Sequence, residues 1–137
     1  MAAFNKFNQF VEDVAHGVHN LGSDQIVVAL TNSAPGAGNS VLADLTEASY
    51  VDCSSRNVTT TSSAETGGLY KLTLTDLTLT SSGTVGPFRY VVIYNDTPTS
   101  PADPLVGYYD YGSSITLNNT ETLDIDFDDA NGALTIQ

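Results

Sequence analysis

The chain has 137 residues, enough for one domain with a real core, and its apolar share is that of an ordinary soluble globular protein. Four basic residues face 16 acidic ones, a formal charge of −12. That balance argues against nucleic acid, whose phosphates call for Lys and Arg, and against docking on an anionic membrane.

The charge is uneven along the chain. After Arg89 there is no Lys or Arg, while eight acids follow, from Asp96 to Asp129. The C-terminal third therefore reads as a negative surface, which repels its own copies unless salt, a cation or a basic partner offsets it. Cys53 is alone, so no internal disulfide is expected and a reducing compartment is the natural reading. The N-terminus has no signal-peptide pattern, and no window approaches the roughly 20 apolar residues of a membrane helix. Synthesis in the cytoplasm is expected.

In chain order, residues 1–21 read as an N-terminal amphipathic helix or arm. Phe4, Phe7, Phe10, Val11, Val14, Val18 and Leu21 recur at steps of three and four, and Gly22 is the expected stop. This stripe either packs on its own domain, the plainer reading, or docks on a neighbour. In the second case Phe4, Phe7, Phe10 and Val14 are the partner-contact candidates.

Residues 22–137 read as an antiparallel β domain. "QIVVALTN" is a strand closed by "SAPGAGNS", and "VLADLTEASYVDCSS" suggests one or two weak strands. "RNVTTTSSAETGG" is loop-like or edge-like. In "LYKLTLTDLTLT" the apolar phase flips between Leu74 and Leu77, which demands a bulge or turn near Asp76. "PFRYVVIYND" has the most buried look, with "LVGYYDYG" as its antiparallel partner after a Pro-rich loop. "SSITL" and "ETLDIDF" flank "NNT" like a hairpin, and "GALTIQ" ends the chain. Short strands spaced by turns after one helix predict a mainly β antiparallel sandwich or jelly roll, in a single domain.

The stretch "LDIDFDD" poses the sharpest chemical question. A calcium loop wants oxygen ligands at fixed offsets, Gly at the sixth position and Glu at the twelfth; counting from Asp124 those places hold Asp129 and Thr135. Period two explains it better, with Leu123, Ile125 and Phe127 on one face and Asp124, Asp126 and Asp128 on the other. Carboxylates two residues apart on a strand stand roughly 7 Å from each other, too far to share a proton. A solvated strand face is the leading reading, a loose cation site at Asp124, Asp126 and Asp128 the second, and catalytic carboxylates the last. "DANG" reads as a turn.

His16 and His19, with Glu12 one turn earlier, could approach one metal, but no HExxH spacing accompanies them. There is no nucleophile elbow and no phosphate loop. Cys53 reads as a buried or half-buried thiol. No catalytic residues and no cofactor are assigned, and an enzyme is not expected. Tyr109 and Tyr111 share a face of one strand and, with Asn95, form a candidate sugar platform, although packing uses tyrosines more often.

"GPFRYVVIYNDT", "PLVGYYDYGSSITL", "ETLDIDFDDANGALTIQ" and the opening "FNKFNQFVEDVAHGVHNLGSDQIVVALTNSAP" resemble small virion proteins of tailed bacteriophages. The resemblance runs over most of the chain and is least clear in "VDCSSRNVTTTSSAET". It implies a jelly-roll-like structural protein of the capsid cement or decoration type, bound outside the capsid, often as a trimer. The major capsid protein or another virion protein would be its partner, and the virion its location. The alternative is a tail or neck module that binds host glycan through the Tyr-rich strands.

Overall fold

A computed structural model describes residues 2–137. In chain order the elements are β1 (Asn5–Lys6), α1 (Asn8–Ala15), β2 (Ile26–Thr31), a short 3-10 turn (Leu42–Asp44), β3 (Asn57–Val58), β4 (Thr60–Thr66), β5 (Leu69–Leu74), β6 (Leu77–Thr80), β7 (Val85–Asn95), β8 (Leu105–Leu117), β9 (Thr122–Ile125) and β10 (Leu134–Ile136). The chain is mainly β, with antiparallel sheets and one short α-helix near the N-terminus, as the turn-punctuated pattern predicts.

Three sheets result: β1-β8-β7-β2-β3, β10-β5-β4, and β6-β9. The large sheet is covered on both faces. On one side Val28, Leu30, Ile93 and Val106 meet Leu72, Leu74, Leu79 and Phe127 from the two smaller sheets and the segment after β9. On the other side Val27, Ala29, Val92 and Leu105 are capped by Phe7, Leu42 and Leu45. Double coverage is why "IVVAL" runs apolar without alternation.

The N-terminal expectation needs correcting. The helix covers Asn8–Ala15 rather than residues 1–21, because the chain before it is extended and hydrogen-bonds to β8. It ends at Gly17, five residues before Gly22. Gly17 has φ +74, its N–H bonds the Val14 carbonyl, and the Val18 N–H reaches back to the Asp13 carbonyl. That pair of bonds is the left-handed termination for which glycine is favoured, because it has no Cβ to clash.

The phase flip near Asp76 is the break between β5 and β6, as read. The stretch read as loop-like or edge-like holds the edge strand β4, and its closing "GG" is a two-residue hairpin turn with φ +60 and +87 that joins β4 to β5. Two expectations differ. "VLADLTEASYVDCSS" holds the 3-10 turn and isolated bridges at Val41, Glu47 and Cys53 in place of a regular strand, and "SSITL" continues β8 instead of opening a hairpin with β9, which pairs β6. Ile125 must join the Leu79 side of the core, and pairing with β6 puts it there.

Candidate functional site

The aromatic residues singled out in the sequence fall into one cluster. Phe4 lies against Tyr109 with ring centroids 5.6 Å apart, and Phe7 against Tyr108 at 5.4 Å. The N-terminal arm thus clasps β8 from both faces. Close approach is possible because residue 107 is glycine: a Cβ there would run into the Phe4 ring and the Asn5 carbonyl. Phe7 and Phe10 are buried and Phe4 and Val14 half-buried, so the three rings of the partner-contact set pack on the chain's own domain, while Phe4, Phe10 and Val14 also line the groove described below. Val11, one residue beyond Phe10, is the apolar side chain of α1 that remains 53% exposed.

The sugar platform also separates. Tyr111 is exposed, while Tyr109 is half-buried against Phe127 and Phe4, and burial pushes its hydroxyl pKa up to about 12. Asn95 is fully buried elsewhere. Its Nδ2 donates to Asp24 Oδ2 at 2.7 Å and stands 3.0 Å from His19 Nδ1, while its Oδ1 accepts from the Thr97 N–H. What Tyr109 and Tyr111 do line is a small cleft of about 250 Å³ beside Asp124 and Asp126.

The two histidines part at Gly17. His16 points outward, with Nδ1 3.6 Å from Glu12, whereas His19 turns inward onto Phe10 and Asn95. They do not share a site. The Thr97 bond fixes the Asn95 amide with its NH2 toward His19, so Nδ1 accepts and neutral His19 carries its proton on Nε2. Among the described residues, that nitrogen and the buried Asp13 Oδ2 are both without a partner. Burial lowers the His19 pKa, opposed by Asp13 and Asp24.

The acidic stretch is a strand only as far as Ile125, where β9 ends; the alternation of burial runs on through Phe127, but Asp128 lies beyond the strand instead of on its wet face. Ile125 and Phe127 are buried, while Asp124 and Asp126 are exposed. Asp124 accepts a 2.7 Å bond from the Thr78 hydroxyl. Asp128 caps the following turn: the Asn131 backbone N–H and side-chain amide both donate to it at 2.9 Å, and those bonds lower its pKa. Among the described residues no group of three or more His, Cys, Asp or Glu side chains is arranged to hold a metal ion. Cys53 is half-buried and free, and its pKa is raised by desolvation against the pull of Arg56.

A groove of about 1270 Å³ opens between the N-terminal segment and a smaller sheet. Its floor is the outer face of the β4-β5-β10 sheet, and its walls are the N-terminal arm and α1. Hairpin register places Ala64 opposite Lys71 and Thr66 opposite Leu69 on that floor. β10 is held against β5 through the "DANG" turn, where Gly132 adopts φ +84 and a Cβ would strike Lys71 and the Leu72 carbonyl. Val11 and Leu69 are exposed apolar residues here, and Lys6 and Lys71 supply positive charge. Sequence reading assigned none of these four a role by itself. The legible signal was the scarcity of cations, which makes the position of each informative.

Comparison with protein-family models, with curated proteins and with solved structures returned no match.

Proposed function

We propose that this protein is a structural component of a tailed-phage virion, of the cement or decoration type, which stabilises contacts between capsid subunits by docking on them. In this reading its sheets are arranged in the jelly-roll manner, it acts as an oligomer with a trimer favoured, and it performs no catalysis. The observation that carries the reading is the open groove: a β scaffold presents an extended concave face with exposed apolar side chains and a strand edge that is unpaired among the described residues. Such a face suits polypeptide capture, and many weak contacts of this kind become collectively tight when copies bind one lattice. The test is addition of purified chain to heads assembled without it. Saturable uptake and raised resistance of DNA-filled heads to heat are expected; heads that take up no chain overturn the proposal.

A second reading rests on the cleft beside Tyr111. An exposed aromatic ring next to Asp124 and Asp126 is chemistry that holds sugars, by stacking and by carboxylate hydrogen bonds. It keeps Tyr109 and Tyr111 from the original platform and drops Asn95. Glycan-array binding lost in Tyr111→Ala is its expected signature, and an array without hits on folded protein removes it.

A further inference from the structure

We infer that the groove takes an extended segment of a partner protein in which carboxylates alternate with apolar residues, added as a strand along β10; this rests on the docking reading above.

Charge decides the sign of the occupant. The chain has four Lys and Arg residues. Arg56 donates to the Val28 carbonyl at 2.6 Å and lies over the Tyr50 ring at 3.6 Å. Arg89 is held by both oxygens of Asp110, at 2.8 and 3.0 Å. The other two, Lys6 and Lys71, are in no ion pair among the described residues, and both line this groove. Lys71 Nζ gives one bond, to the Ala130 carbonyl, and an ammonium has three hydrogens to give. The Lys71 charge also acts on Asp128 nearby, but neither lysine is in an ion pair among the described residues, so on a surface of net charge −12 a docking acidic segment meets two cations here with hydrogens left to give.

Geometry decides its form. Among the described residues no strand pairs the outer edge of β10, and residues 134–137 line the groove in succession. An added strand satisfies those backbone groups, and its alternate side chains face the Val11 and Leu69 surfaces. The volume also exceeds the roughly 300–1,000 Å³ of small-molecule pockets, which favours a polypeptide. A second copy of this chain is a poor source. Its own acidic alternating segment, residues 123–129, has Ile125 and Phe127 in the core and would have to unfold to be donated.

The experiment is selection of a displayed library of random nine-residue peptides on the full chain. Selected peptides should be enriched in alternating acidic and apolar residues. In fluorescence anisotropy they should bind at least tenfold more weakly to the Lys6→Glu/Lys71→Glu variant and to Val11→Asp. Binding to Arg89→Glu, a charge reversal outside the groove, should change less than twofold. Circular dichroism checks each fold, and Val11→Asp stands alone if the double variant is unfolded. Neutral or basic selected peptides, or equal binding to the groove variants, overturn the inference. So does a wild-type oligomer in light scattering that dissociates in the double variant, since a second copy would then fill the groove. Head uptake separates the two proposals: peptide binding without uptake removes the virion reading alone, and uptake undiminished in the groove variants removes this inference alone.

Discussion

The five-stranded sheet and the β4-β5-β10 sheet are both antiparallel ladders, yet one is covered on both faces and the other on one. In β2 all six residues are buried. In β4 Ser62, Ala64 and Thr66 are exposed, and its backbone partner β5 buries Leu72 and Leu74 while leaving Leu69 and half of Lys71 in the groove. Apolar strands that can be covered twice become framework, because burial drives packing on each side. A strand pair with small polar residues outward has nothing to recruit a cover from its own chain, and so stays open to another.

Breaking the framework should have the largest effect. Phe7 is fully buried and caps the second face of the large sheet, so Phe7→Ala should cost about 3–5 kcal/mol in urea denaturation. Deleting residues 2–20 should destabilise the whole β domain; a truncated chain that unfolds at the wild-type urea midpoint would contradict the clasp. Next comes Gly107→Val, which should cost about 1–3 kcal/mol by forcing Phe4 and β1 off β8. Loss of amide protection at Asn5 and Lys6 is its readout by hydrogen exchange.

The buried histidine gives a smaller, pH-dependent effect. Because the folded pKa of His19 is lowered, the unfolded chain takes up its proton first as pH falls. Stability from this residue is therefore complete above the unfolded value of about 6.5 and declines below it, with a limiting slope of about 1.4 kcal/mol per pH unit. His19→Gln should flatten that slope between pH 6.5 and 5; an unchanged difference in denaturation midpoint would mean His19 is charged in the fold. The smallest effect belongs to the open region. Val11→Ser should leave stability within about 0.5 kcal/mol, in contrast to its neighbour Phe10, which is 3% exposed. A large loss at Val11 would show that the groove wall is part of the core.

Much of the site is not legible in the sequence, because burial depends on distant segments. Periodicity identified Phe4, Phe7, Phe10 and Val14 as one apolar set, but a stripe does not say which of its members the chain will cover itself. Here β8 brings Tyr108 and Tyr109 to the arm, so rings of the two candidate sets pack on each other. Asn95 looked like part of an aromatic strand face, whereas His19 and Asp24, more than 70 residues away, draw it inside. Lys6 and Lys71 are 65 positions apart and meet only because β1 joins β8 while β5 joins β10.

What the sequence by itself determined was local and repetitive: the β character, the break at Asp76, the alternating burial from Leu123 to Phe127, and the "DANG" turn. These follow from side-chain alternation and from backbone angles that a few residues impose on themselves. Only the tertiary structure decided the length of the helix, the partners of β8 and β9, the burial of Asn95 and the existence of the groove. Each of those depends on which distant segments cover which faces, a competition for buried area among all the strands at once rather than a property of any one of them.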